Sequence, residues 1–322
     1  MDNISNEEII KNKNAWLKEK LQKYYQEYGS EDTINQFEED ILNIHDPELS
    51  YFFADTIGGN VARHGKIVIE SKNPEYNYSF AKFVSGADIK AHEQVVLESK
   101  DPRWNYQFAK EVFNFDQKAL NIHPREAMAA HEQVVLDSKD PYYNYCFAVN
   151  LSGAGADLKA HEQVVIESKD PKYNYEFAKY VWSDNKNSIK AHEQAILESK
   201  DPEYNYNFAF YFINKAADVD VRAHGKVVLE SKNLKYNYAF ATIPGADYDA
   251  HAQLIIDSGD PEYNYKFCEY IKNSNFIDHA RVVMQSDRED YKSELREKYE
   301  YELKRSNSVG NIKRLIKELS NE

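Results

Sequence analysis

The sequence predicts an all-α protein, an α-solenoid of about seven helical-hairpin repeats with capping helices at both ends. One motif recurs along the chain, and histidines 27 to 39 residues apart mark its successive copies. The copies carry two helix-start signals each, and none shows the alternation of a β-strand. A two-helix unit this short cannot enclose its own core, so neighbouring copies must stack.

The repeat is clearest as HEQVVLESKDPRWNYQFAKEV from His92. Close copies begin at His131, His161 and His192, and looser copies begin at His64, His224 and His251. A second half alone, DPELSYFFA, precedes the array from Asp46, and a first half alone, HARVVMQS, follows it from His279.

Each copy predicts a helical hairpin with short connections. Asp88 is placed to cap the first helix of its copy, and Asp101-Pro102 supplies a cap followed by proline at the first position of the second helix. Gly86 lies just before Asp88, where the preceding helix must stop, and the same Gly-Ala-Asp recurs in two other copies.

The chain is predicted to divide into an N-terminal helical cap (1–45), a repeat domain (46–286) and a charged C-terminal helical cap (287–322), because an outer face without a neighbour has to be polar. Cap helices are expected over residues 6–28, 34–44 and 287–304, and after Gly310. Insertions between Val112 and His131 and at residues 152–155 are expected to mark a binding side.

A histidine and an asparagine fall inside the apolar stripes of the two helices when residues are placed at 100° intervals. An unpaired buried amide costs about 1–3 kcal/mol. We therefore predict that each asparagine bonds a histidine of the same or the adjacent repeat, or alternatively a tyrosine hydroxyl, in a ladder that fixes the repeat register. The predicted ladder consists of His64, His92, His131, His161, His192, His224 and His251 with Asn77, Asn105, Asn144, Asn174, Asn205, Asn237 and Asn264.

Carboxylates recur in the last turn of successive first helices, where they oppose the helix dipole, and the lysines that follow complement it. This acidic row is either a solvated surface or a ridge that binds a basic groove of another protein. It consists of Glu70, Glu98, Asp137, Glu167, Glu198, Glu230 and Asp257.

Aromatic residues precede each ladder asparagine, and we expect them to close the seam between repeats. Two alternatives are an asparagine row that grips an extended peptide and an RNA reader with one base per repeat, which the acidic charge disfavours. The aromatic row consists of Tyr76, Trp104, Tyr143, Tyr173, Tyr204, Tyr236 and Tyr263.

The sequence predicts no catalytic, metal-binding or cofactor-binding residues. Equivalent histidines of adjacent repeats lie roughly 8–10 Å apart, too far for one ion to bridge them. A His-Glu dyad is weak because Glu93 and its counterparts give way to Gly65, Gly225 and Ala252 in other copies. Glycine-rich phosphate loops, CxxC pairs and HExxH motifs do not occur in the sequence.

The net charge of −14 disfavours binding to nucleic acid or to anionic membranes and favours a protein partner with a basic surface. No segment approaches the roughly 18 apolar residues of a membrane span, and no secretion signal is evident at the start. We therefore expect a cytoplasmic protein, in the host cytoplasm if its source is viral.

The unit GADIKAHEQVVLESKDPxYNYxFA resembles tandem repeats in proteins of bacteriophages, large viruses and low-GC bacteria, over about residues 46–286. The resemblance implies a viral or mobile-element setting and carries no assigned activity. The expectation that follows is a non-enzymatic protein-binding module, such as an anti-CRISPR-like inhibitor that occludes a nucleic-acid-handling effector through an acidic surface. The alternative is a structural or assembly adaptor of a virion or cell.

Overall fold

The computed structural model describes residues 31–112, 124–181, 185–215, 218–270 and 276–305, together with Trp16 and Glu19. These residues form helices and turns, and no strand occurs among them, which confirms the all-α class. The predicted helix after Gly310, most of the predicted helix 6–28 and most of the insertion after Val112 lie outside the described residues.

The chain forms two compact units, Met1–Ser168 and Lys169–Glu322. The helices described in the N-terminal unit are α1 (Glu31–Ile44), α2 (Pro47–Thr56), α3 (Val61–Glu70), α4 (Pro74–Phe83), α5 (Ile89–Ser99), α6 (Pro102–Gln107), α7 (Pro124–Ser138), α8 (Pro141–Leu151) and α9 (Leu158–Ser168). A π-helical turn at Phe108–Val112 continues α6, and a 3-10 turn at Ser152–Ala154 follows α8.

The helices described in the C-terminal unit are α10 (Pro171–Tyr180), α11 (Lys186–Ser199), α12 (Pro202–Phe212), α13 (Val221–Ser231), α14 (Leu234–Phe240), α15 (Tyr248–Ser258), α16 (Pro261–Tyr270), α17 (Phe276–Gln285) and α18 (Glu289–Arg305). A 3-10 turn at Ile213–Lys215 follows α12. Consecutive helices pair as hairpins, so the architecture is an α-solenoid.

The Ser-Lys-Asp-Pro sequence builds the turn inside each hairpin. Ser99 Oγ donates to Val96 O at 2.7 Å and accepts from the Asp101 backbone N–H at 3.1 Å. The Asp101 carboxylate then accepts the backbone N–H groups of the first turn of α6. Between them, Lys100 adopts a left-handed conformation with φ 54° and closes the C-terminus of α5.

The same left-handed turn recurs at the equivalent position of the other repeats. Lysine occupies it with φ of 53° to 57° at Lys72, Lys100, Lys139, Lys169, Lys200 and Lys232, and glycine occupies it at Gly259. A left-handed lysine carries a backbone cost that glycine does not.

The core lies between successive hairpins. Each full repeat contributes one fully buried phenylalanine from its second helix, which lies against the ladder histidine of the following repeat. The rings of Phe80 and His92 are 4.6 Å apart, and those of Phe267 and His279 are 4.5 Å apart. The apolar core and the polar ladder therefore share one interface.

Both half repeats are complete hairpins. Helix α1 precedes Asp46, and His45 between α1 and α2 has φ 58°, as the turn lysines do. At the other end, Ser286 makes the same turn bonds between α17 and α18. The domain boundaries predicted at residues 45 and 286 thus fall inside the first and last hairpins. Of the helices described, none is long and apolar enough to cross a membrane.

Candidate functional site

The ladder histidines and asparagines form hydrogen bonds between repeats. In each case the imidazole Nδ1 lies 2.7 or 2.8 Å from the Oδ1 of the asparagine in the preceding repeat, and every member is at most 1% exposed. The pairs are His92–Asn77, His131–Asn105, His161–Asn144, His192–Asn174, His224–Asn205, His251–Asn237 and His279–Asn264.

The asparagine also ties its own hairpin together. Asn105 Nδ2 donates to Val96 O at 2.9 Å and to Asp101 O at 2.8 Å, while its Oδ1 faces His131. Because both amide hydrogens are used, Oδ1 must accept, and the histidine must carry its proton on Nδ1. The partner that the sequence predicts is therefore present, and it belongs to the adjacent repeat rather than the same one.

The glutamate that directly follows a ladder histidine in the sequence contacts the next repeat. Glu132 Oε1 lies 3.4 Å from His161 Nε2 and accepts the backbone N–H of Asp157 at 2.6 Å. Glu193 makes the equivalent contacts with the repeat that follows it. A histidine and the glutamate that follows it in the sequence therefore do not form a dyad. The glutamate instead links its own repeat to the next one.

In the repeats that precede His92, His251 and His279, glycine or alanine stands in place of this glutamate. Nε2 of His251 and of His279 has no hydrogen-bond partner. Burial lowers the pKa of His92, His251 and His279 to about 4. A Cβ at Gly65 would lie 3.5 Å from His92 Nε2, which is ordinary van der Waals contact. These rings are neutral at pH 7.

The first rung departs from the pattern, because Ser50 stands at the asparagine position that precedes His64. Ser50 Oγ and His64 Nδ1 both lack a hydrogen-bond partner, and both residues are fully buried. His64 Nε2 lies 3.3 Å from Glu38 Oε1. Serine, histidine and glutamate here do not form a catalytic relay, since Ser50 does not bond His64 and no substrate could reach either.

The ladder asparagines are too deeply buried to contact a partner directly. Every ladder asparagine is 0% exposed, so these side chains cannot themselves grip a peptide or read RNA bases. Within the described residues, no group of three or more histidine, cysteine, aspartate or glutamate side chains is placed to hold a metal ion.

The aromatic row packs between repeats, which confirms the predicted seam. The rings of Tyr78 and Trp104 are 5.5 Å apart, and those of Tyr206 and Tyr236 are 6.2 Å apart. Row hydroxyls also bond across repeats, as when Tyr236 donates to Glu203 Oε2 at 2.6 Å. These contacts add a second, outer set of links parallel to the ladder.

All members of the acidic row are exposed, but neighbouring side chains form hydrogen bonds or ion pairs with them. Glu98 accepts from Gln94 at 2.8 Å, and glutamine does the same in four other repeats. The turn residue of the preceding repeat also reaches the row, since Lys169 Nζ lies 2.7 Å from Glu198 Oε2 and His45 Nε2 lies 3.3 Å from Glu70 Oε2. The row is a mixed-charge edge rather than a purely negative one.

The exposed large hydrophobic side chains of the described residues all lie on second helices. They are Phe83 on α4, Tyr142 and Val149 on α8, Tyr180 on α10 and Phe210 on α12. Sequence reasoning missed them, although a signal was present: these positions correspond to Arg103, Lys110 and Glu111 in the copy from His92. Where that copy has charged residues, others have large apolar ones.

Searches of family models, of curated proteins and of solved structures each give no match to the chain. The roles assigned to its residues therefore follow from its own geometry.

The two faces differ in what they offer a partner. The first helices expose lysine, glutamine and carboxylate side chains that bond one another, whereas the second helices expose apolar and aromatic surface. Exposed apolar surface gains more from being covered by a partner than a solvated charged face does. The second-helix face is therefore the stronger candidate for binding.

Proposed function

We propose that this chain is a non-enzymatic protein-binding module built on an α-solenoid scaffold. One observation carries the proposal: the recurrent histidines and asparagines are buried and bonded to one another, while the exposed hydrophobic residues vary between repeats and lie on second helices. A scaffold of this kind holds a fixed backbone and varies its surface, as repeat proteins that bind partners do.

The partner we propose is a protein with a basic surface. The net charge of −14 supports attraction of such a partner, and the second-helix residues Phe83, Tyr180 and Phe210 supply apolar contacts. A nucleic-acid-handling protein has a basic channel of this kind, so an inhibitor that occludes such a channel is the specific form of the proposal.

An assembly adaptor is the second candidate, and the two compact units favour it. The N-terminal unit exposes Phe83, Tyr142 and Val149, and the C-terminal unit exposes Tyr180 and Phe210. Each unit thus offers apolar surface of its own, which would let one chain hold two partners.

Affinity purification of the tagged full chain from its native host, with nuclease treatment, tests the proposal. A nucleic-acid-handling protein retained in stoichiometric amount supports the inhibitor, and retention of virion or structural proteins supports the adaptor. If no protein is retained, the proposed function is wrong.

Two sets of variants then locate the surface. Combined Tyr180→Ser and Phe210→Ser substitutions are expected to reduce retention strongly if the second-helix face binds. Reversal of the acidic row at Glu98, Asp137 and Glu167 to lysine is expected to slow association and to weaken its dependence on salt. The control substitutes Gln94, Gln133 and Gln163 with alanine on the same three helices, which removes their bonds to the row without changing its charge.

A further inference from the structure

We propose that the C-terminal unit contains a binding site for a carboxylate-bearing protein segment, formed by Lys179, Lys215, Tyr180, Tyr211 and Phe210. We call it the lysine–aromatic site. The inference rests on the proposed protein-binding function and names the chemistry of the bound segment.

Both lysines lie over tyrosine rings. Lys179 Nζ is 5.3 Å from the ring centroid of Tyr175, 4.7 Å from that of Tyr180 and 5.1 Å from that of Tyr211. Lys215 Nζ is 4.8 Å from the centroid of Tyr211. The two ammonium groups thus share Tyr211, and the rings hold them in place by cation–π attraction.

Two exposed aromatic side chains lie on the helices that carry Lys179 and Tyr211. Tyr180 is 58% exposed and Phe210 is 54% exposed. Phe210 stacks on Tyr206 with ring centroids 5.7 Å apart, which fixes its orientation. Preordered aromatic surface beside a cation is suited to a segment that carries both a charge and an apolar side chain.

An equivalent cluster in the N-terminal unit is already neutralised. Lys82 occupies the repeat position of Lys179 and lies 5.5 Å from the Tyr78 ring and 4.9 Å from the Phe83 ring. Its ammonium also lies 3.4 Å from Glu111 Oε2. The cluster therefore contains its own carboxylate.

Tyr211 occupies the position of Glu111 in the C-terminal unit. Neither Lys179 nor Lys215 forms an ion pair with any residue that the structure describes. The tyrosine rings attract the ammonium groups, and the side chains of Tyr180 and Tyr175 also hydrogen-bond Lys179, but all of these neighbours are uncharged. The strongest ligand that the two lysines lack is therefore an anionic oxygen. A carboxylate of a partner would take the place that Glu111 fills beside Lys82.

The surroundings favour a short acidic segment over a polyanion. The residues equivalent to Lys179 in the next three repeats are Phe210, Thr242 and Glu269, so the cations do not continue along the array. Nucleic acid requires a row of cations that follows its phosphates, and the net charge of −14 opposes it. One or two carboxylates beside an aromatic or aliphatic side chain match the site.

Fluorescence anisotropy with two labelled peptides tests the site on the purified full chain. The probe Gly-Glu-Phe-Glu-Leu-Gly is expected to bind at least about ten-fold more tightly than its counterpart with glutamine in place of both glutamates. Lys179→Gln and Tyr211→Glu are each expected to weaken binding of the acidic probe by about ten-fold or more, because the first removes the cation and the second supplies an internal carboxylate.

Matched variants in the N-terminal unit complete the design. Lys82→Gln is expected to leave peptide binding unchanged, because the ammonium group of Lys82 already forms an ion pair with Glu111. Glu111→Tyr is expected to create a second site and raise the stoichiometry from one peptide to two, measured by titration calorimetry. A gain of this kind cannot arise from misfolding.

Equal affinity for the two peptides, or no binding of either, would overturn the inference. Tighter binding of a labelled single-stranded RNA, lost in Lys179→Gln, would also overturn it. If the affinity purification retains a partner but the acidic probe does not bind, this site is wrong and the protein-binding function stands. If no partner is retained, the proposed function is wrong, whereas the peptide measurement on the purified chain stands by itself.

Discussion

Asn105 and His131 lie 26 residues apart in the sequence, and a hydrogen bond of 2.7 Å joins the Oδ1 of one to the Nδ1 of the other. The asparagine belongs to one hairpin and the histidine to the next, and the contact is closed to solvent. Asn105 Nδ2 also donates two hydrogen bonds within its own hairpin. This one side chain therefore stabilises both the hairpin and its packing against the next hairpin. A one-residue slip between repeats would leave several buried polar groups without partners.

Asn105→Ala is expected to lower the free energy of unfolding by about 2–4 kcal/mol. The change removes three hydrogen bonds and leaves the buried Nδ1 of His131 without an acceptor. Urea unfolding measures the effect. Gln94→Ala, which removes an exposed amide bonded to Glu98, is the control and is expected to change stability by less than about 0.5 kcal/mol. Equal losses in the two variants would contradict the role of the ladder.

Ser50→Asn is expected to raise the free energy of unfolding by about 1 kcal/mol. The substitution supplies the missing acceptor to His64 Nδ1, which has no partner in the wild-type chain. Ser50→Ala is the control, because it removes the unpaired hydroxyl without adding an acceptor. Thermal unfolding compares the two variants. An alanine variant as stable as the asparagine variant would show that the introduced asparagine forms no hydrogen bond with His64.

Acid is expected to destabilise the fold below about pH 6.5. Burial holds the pKa of His92, His251 and His279 near 4, against 6.5 for a free histidine, although Asp88, Asp247 and Asp278 each raise it slightly. Between these values the unfolded chain binds more protons than the folded one. The free energy of unfolding therefore falls as pH drops from 6.5 towards 4, by about 1.4 kcal/mol per pH unit for each such histidine.

Urea unfolding between pH 7.5 and 5 measures this slope. His279→Gln is expected to reduce this slope by the contribution of one histidine, even though the variant is less stable at every pH. His45→Gln is the control, because the side chain of His45 is 61% exposed. A slope that His279→Gln leaves unchanged would mean that the ring is not neutral in the folded chain.

Lys100→Gly is expected to raise the free energy of unfolding by about 0.5–1 kcal/mol. Lys100 has φ 54°, a conformation that glycine adopts without strain and that Gly259 already supplies in another repeat. Lys90→Gly, at an exposed position in the first turn of α5, is expected to lower stability by up to about 0.5 kcal/mol, less than glycine costs in a helix interior. Chemical denaturation compares the pair. A loss in Lys100→Gly would show that the lysine side chain contributes more than its backbone conformation costs.

Repetition made the fold and most of the ladder predictable. Seven copies show the same histidine and asparagine inside apolar stripes, and a buried polar pair has few possible partners. The end hairpins were harder to predict, because α1 carries Phe37 where the other first helices carry histidine. Helix α18 carries Lys292 where the second helices of the seven full repeats carry asparagine. The turn geometry survives in both without the residues that identify a repeat.

The surface was the least predictable part. A helical projection shows that Glu98 faces solvent, but it does not show that Gln94 bonds it or that a turn residue of the preceding repeat reaches the row elsewhere. These contacts join side chains whose spacing depends on how repeats stack. The exposed rings of Tyr180 and Phe210 were missed for a different reason: the charged residues at their positions in the copy from His92 already indicated exposure.

The sequence by itself determined the helical class, the hairpin boundaries and the burial of the recurrent polar residues, because capping, proline placement and helical periodicity act within a few residues. Only the tertiary structure decided that Asn105 reaches the next repeat and that Glu132 braces His161 rather than the adjacent His131. It also decided that Lys82 meets a carboxylate, whereas Lys179 meets Tyr211 at the equivalent position. Contacts between repeats depend on the distance and rotation between hairpins, which packing of the whole interface sets.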